Sequence, residues 1–142
     1  MTTCNGCGGC CVVLTLGYPQ SEVASGVVRP EARERRFILE ELVPISARQA
    51  FDRAPWLHGT RSMPSHPRTG FSPLRFYYRC TNYDEETRRC MDWENRPAMC
   101  RSFPTEVPTW PSDNFDLPPA CSFNADIGRP VAPMPVTLGQ TR

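Results

Sequence analysis

Cys4-Asn5-Gly6-Cys7-Gly8-Gly9-Cys10-Cys11 packs four of the chain's eight cysteines into eight residues. The other four, Cys80, Cys90, Cys100 and Cys121, follow a cysteine-free stretch over residues 12–79. A thiolate is a strong donor for zinc, iron and iron–sulfur clusters. Two cysteines separated by two residues can grip one ion where the backbone between them turns tightly. The spacers here, Asn-Gly and Gly-Gly, permit that turn, because glycine reaches positive φ without steric cost and Asn tolerates it. They also leave backbone amides free to donate to sulfur, which steadies a metal thiolate. The expectation is that the two groups of cysteines meet around metal and that the fold exists to let them meet.

The C-x2-C-x2-C spacing also resembles the ferredoxin run that holds an iron–sulfur cluster, although no proline follows Cys11. The doublet Cys10-Cys11 points to two centres. In an extended backbone, adjacent side chains face opposite ways, so both sulfurs would not reach one mononuclear ion. The alternative is that one of the pair supports the site without binding metal. A disulfide framework is the competing reading for a cysteine-dense small protein. Met1-Thr2-Thr3 leads straight into cysteine with no basic or apolar leader pattern, and a vicinal bridge at Cys10-Cys11 would be strained. A reducing, cytoplasmic setting is therefore expected.

A length of 142 residues suits one domain, read as residues 1–122 with a mobile tail over 123–142. The 16 prolines, 39% hydrophobic content and mean hydropathy of −0.45 describe a chain lean in core. Proline breaks helices and central strands, so a loop-rich fold short of burial is expected, and there metal staples matter most. Structural zinc supplies roughly 10–16 kcal/mol of apparent free energy, which is comparable with the stability of a whole domain. Metal removal should therefore unfold the protein. A net charge of +1 gives no bulk attraction for nucleic acid or membrane, and no apolar run approaches the ~20 residues of a membrane span. All 16 basic residues are Arg. Arg79, Arg88, Arg89 and Arg101 flank the downstream cysteines, either to offset thiolate charge or as solvated surface groups.

Residues 12–16 read as a short strand and residues 21–28 as a helical turn. Residues 30–43 read as a helix ended by Pro44, with Ala32, Phe37, Ile38 and Leu42 inward and Arg33, Arg36, Glu40 and Glu41 outward. Ser46 caps a second helix over residues 47–54. Residues 55–73 form a loop that carries His58 and His66, read as exposed rather than ligating. Residues 74–83 and 88–93 read as a hairpin that sets Cys80 opposite Cys90. A short helix over residues 96–103 begins near Pro97 and holds Cys100. Beyond it, Trp110 and Phe115 are candidate anchors. The sum is a small α+β fold, loop- and proline-rich, metal-stapled, with short helices plus a β-hairpin.

The run Cys4-x2-Cys7-x2-Cys10-Cys11, followed much later by Cys90 and by Arg96-Pro97-x2-Cys100-Arg101-x-Phe103-Pro104, resembles the CxxCxxCC cysteine-cluster family. That family is described as a zinc- or iron-chelating domain. The likeness spans roughly residues 3–121, with the motif at its two ends. It implies metal chelation by Cys4, Cys7, Cys10, Cys11, Cys80, Cys90, Cys100 and Cys121. It implies no particular reaction, and no glycine-rich strand–turn–helix signal for a nucleotide or methyl-donor pocket is present.

Three functions compete. The first is a small metal-binding protein, most simply with two Cys4 zinc ions, or with a 4Fe–4S cluster on Cys4, Cys7, Cys10 and one distant cysteine. The second is a redox or modification enzyme built on such a centre, with Asp84, Glu85, Asp92 and Glu94 as nearby acid/base groups. The third is a zinc-stabilised module that binds a protein partner through an apolar patch near Trp110 and Phe115.

Overall fold

A computed structural model describes Cys4 and residues 7–59, 64–71, 74–103 and 117–134. The order of elements is α1 (Gly9–Val12), β1 (Leu14–Leu16), α2 (Gln20–Ala24), α3 (Ala32–Arg36), a π-helical turn (Phe37–Glu41), β2 (Leu42–Ile45) and α4 (Ala47–Arg53). A 3-10 turn (Pro55–Gly59), β3 (Phe76–Cys80), β4 (Tyr83–Asp84), β5 (Arg89–Cys90), a 3-10 turn (Trp93–Asn95), α5 (Ala98–Arg101) and a 3-10 helix (Ser122–Ile127) complete it. Short helices and small antiparallel sheets make this a small α+β fold.

β3 is the central strand of a three-stranded sheet ordered β1-β3-β2. Leu14 lies opposite Tyr78, Leu42 opposite Cys80, and Ile45 opposite Tyr77. Alternation along β3 divides the core between the two faces of the sheet. Tyr78 and Cys80 join Leu16, Tyr18, Val23, Val28, Phe37, Ile38 and Leu42, with Phe76 packed alongside. Tyr77 turns the other way, toward the cluster of Val13, Ala50 and Ala54, and its ring meets Phe51 edge-on at 5.6 Å. Val23, Phe37 and Ile38 are the largest fully buried side chains. Each contributes about 1.5–3 kcal/mol by leaving water.

The helix expected over residues 30–43 begins later and ends sooner. The Glu31 side chain accepts the Glu34 N–H and starts α3 at Ala32. The chain then widens into the π turn, and residues 42–45 pair with β3 instead of continuing the helix. Pro44 does not end a helix. It sits in an edge strand, where a missing N–H is tolerated. The Gln20 amide donates to the carbonyls of Ile38 (2.7 Å) and Leu42 (2.8 Å), groups that a regular helix would have used internally. The second helix matches its expected start, with Ser46 and Gln49 forming a reciprocal capping box ahead of α4.

The predicted hairpin is also redrawn. Residues 74–83 break at Thr81, whose N–H and hydroxyl both donate to the Glu41 carbonyl at 2.9 Å. Cys80 therefore faces Leu42, and Cys90 faces Tyr83 across a separate two-stranded sheet. Past residue 122, where a tail was expected to begin, Ser122–Ile127 is helical and buries Phe123 and Asn124. Residues 135–142 lie outside the described residues, as do Trp110 and Phe115. No helix among the described residues is long and apolar enough to cross a membrane.

Candidate metal centre

The cysteine run reaches the rest of the chain through two glycines. Gly8 ends the lead-in at φ 77°, and a Cβ there would overlap the Arg88 carbonyl of the β4–β5 turn. A Cβ on Gly9 would overlap the Pro118 ring. One residue thus admits the hairpin and the next admits the C-terminal segment, so the run is wedged between the turn that leads to Cys90 and the segment that leads to Cys121. Arg88 itself adopts φ 57° to make the approach. Cys10 and Cys11 lie in the helical turn α1 rather than in extended backbone.

One pair of sulfurs is in hydrogen-bonding contact, and a second pair interacts only through its charges. At the first, the Cys121 thiol hydrogen-bonds to Cys7 and outweighs the opposing effect of burial. The Gly9 N–H adds to it, and the Cys7 pKa is pulled down to about 6. Cys7 and Cys121 share a small apolar cluster with Leu117, Phe123 and Ile127. At the second, burial pushes the Cys80 thiol up, and nearby Cys90 and Glu41 act the same way. The N–H groups of Asn82 and Tyr83 oppose it by donating to the sulfur. Cys100 packs on the same core as Cys80. Burial raises the hydroxyl pKa of Tyr83, the cross-strand partner of Cys90, and nearby Cys11 adds to the rise.

Cys7 and Cys80 therefore share a local geometry. Each sulfur accepts an N–H from the residue two positions later, the amide cradle that stabilises a thiolate bound to metal. This donor set fits zinc or an iron–sulfur cluster. Among the described residues, no three His, Cys, Asp or Glu side chains converge into a complete ligand set. Cys4 is exposed, and the side chain of Cys10 lies outside the description. Cys4, Cys7, Cys11, Cys80, Cys90, Cys100 and Cys121 are unbridged thiols.

The polar supports around these cysteines left little trace in the sequence. Asn124, 3% exposed, donates through Nδ2 to the carbonyls of Pro118 (2.9 Å) and Cys121 (3.1 Å), fixing the Cys121 loop. Arg53 donates to the Val12 carbonyl closing α1 and pairs with Glu85 at 2.7 Å. Glu41 binds Arg33 and Asn82, tying α3 to the start of the hairpin. Arg33, read as an outward group, also donates to the Asn95 carbonyl at 2.7 Å.

Of the acid/base candidates, Asp84 accepts the Glu86 N–H, Glu85 is the ion-pair partner of Arg53, and Asp92 accepts from Asn95. Glu94 is exposed in a 3-10 turn. Arg79, Arg88, Arg89 and Arg101 are all exposed. His66 is half-buried and structural. It takes the Arg68 N–H at Nδ1 and meets Glu22 at 2.9 Å through Nε2, pinning its loop to α2. The side chain of His58 lies outside the description.

Residues 3–122 match one protein-family model. The chain belongs to the CxxCxxCC family, the "Putative zinc- or iron-chelating domain". That membership supports metal binding in general and leaves the metal open. No curated protein and no solved structure matches the chain significantly.

Proposed function

We propose that this chain is a small cytoplasmic metal-binding protein with two thiolate centres, each a Cys4 zinc site. On binding metal, Cys11, Cys80, Cys90 and Cys100 close around one ion at the sheet. Cys4, Cys7, Cys10 and Cys121 close around the other. The observation that carries this division is the separation of the paired sulfurs. Cys7 with Cys121 belongs to one apolar cluster and Cys80 belongs to another, and each has backbone N–H groups aimed at sulfur. Two closed tetrathiolate sites suit a structural role, since catalytic zinc keeps an open position. Metal ions are the first partners. A protein that docks on the metal-fixed surface is the second, with nucleic acid and membrane outside this reading.

A second reading keeps the same division and fills the N-terminal centre with a 4Fe–4S cluster. The ferredoxin-like spacing of Cys4, Cys7 and Cys10 favours it, and the contact of Cys121 with Cys7 supplies the distant fourth ligand.

Anaerobic purification followed by zinc, iron and sulfide analysis tests both. About two zincs per chain and no colour is the expected result. About four irons with matching sulfide would favour the cluster. A folded chain with neither metal sinks the proposal. Cys7→Ser and Cys80→Ser should each remove one centre and leave the other.

A further inference from the structure

We infer that Glu34 is a positioning residue for the metal centre that takes Cys100. The inference rests on the reading above, in which Cys100 is a ligand. Cys100 sits in α5, which is four residues long. So short a helix cannot hold itself together, and its first N–H groups have no partner within the helix. Pro97 precedes it, and no side chain from that position caps it. The cap comes from 65 residues away instead, where Glu34 Oε1 accepts the Met99 N–H at 3.2 Å.

Glu34 is well held for this task. It is 9% exposed, and its own N–H donates to the capping carboxylate of Glu31 at 2.8 Å. Its neighbour Arg33 donates to the Asn95 carbonyl at 2.7 Å and to Glu41 at 3.0 Å. α3 therefore grips the approach to Cys100 at two points, Asn95 and Met99. Met99 and Cys100 then pack against the core that holds Cys80. A carboxylate is a costly group to bury, and one placed near thiolates adds like charge. Its value here lies in the acceptor oxygen that sets the direction of α5, a property that an amide oxygen would share.

The test uses zinc-loaded full-length protein and titration with a chromophoric zinc chelator. Cys100→Ser should lower the zinc content by about one per chain. Glu34→Ala should weaken one of the two zincs by about 10–100-fold, the usual cost of losing a group that orients a ligand, and leave the other unchanged. Glu34→Gln should hold both zincs as the parent does. Unchanged zinc content in Cys100→Ser would overturn the assignment of Cys100 itself. If Cys100→Ser loses zinc while Glu34→Ala keeps parental affinity, only the role of Glu34 falls. Equal weakening of both zincs by Glu34→Ala, or a Glu34→Gln that behaves like Glu34→Ala, also overturns that role.

Discussion

The sheet-side and N-terminal cysteines occupy different kinds of ground. Cys80 lies at the end of the central strand, in register with Leu42 and within the largest cluster of buried residues. Cys7 and Cys121 meet in a smaller cluster built on Leu117 and Phe123. The first location ties metal to the sheet. The second ties it to a loop shaped by Asn124. A metal bound at the sheet should therefore be felt through the whole fold, and one bound at the loop should be felt locally.

The largest expected difference follows directly. Cys80→Ser in metal-loaded protein should cause the larger fall in unfolding midpoint, because its zinc braces the sheet, while the N-terminal centre keeps its metal. Cys7→Ser should leave a cooperative transition for the sheet, and hydrogen exchange should find residues 117–127 unprotected while β3 stays protected. The reverse ranking would break the comparison.

The two glycines allow a sharper version. Gly8→Ala forces a side chain onto a backbone at φ 77° and into the Arg88 carbonyl, and Gly9→Ala meets the Pro118 ring. Strain or collision of this kind costs about 1–3 kcal/mol each. Metal titration should find that Gly8→Ala weakens chiefly the sheet-side centre and Gly9→Ala chiefly the Cys121 centre. Equal effects at both would mean that the run acts as one rigid piece.

Much of this plan is legible in the sequence where a local rule governs. Ser46 and Gln49 spell a capping box, and the Gly8-Gly9 spacer announces a tight turn with an amide aimed at sulfur. The misreadings come where distant partners decide. Leu42 continues a helical stripe on paper, yet β3 recruits residues 42–45 as a strand. Cys80 and Cys90 look like partners in one hairpin, yet Glu41 intercepts Thr81 and splits the strand. Asn124 follows a proline-rich stretch and reads as part of a tail. Its importance depends on the carbonyls of Pro118 and Cys121, which only the folded loop brings to its amide. The same holds for Glu34, whose carboxylate serves a helix 65 residues away.

The smallest expected effect is in proton affinity. In the metal-free chain the Cys7 thiol is pulled from 9.0 to about 6, chiefly by its bond from Cys121, whereas burial moves Cys80 above 9.0. A depressed thiol pKa stabilises the fold fully above 9.0, and that contribution is lost as pH falls through about 6. A raised thiol pKa acts in the opposite sense, and its contribution is lost as pH rises beyond 9.0. Alkylation followed by peptide mapping should therefore find Cys7 reactive at neutral pH and Cys80 protected until the solution is alkaline. Equal alkylation of the two at neutral pH would mean that the Cys121 thiol does not hold Cys7 as a thiolate in the metal-free chain.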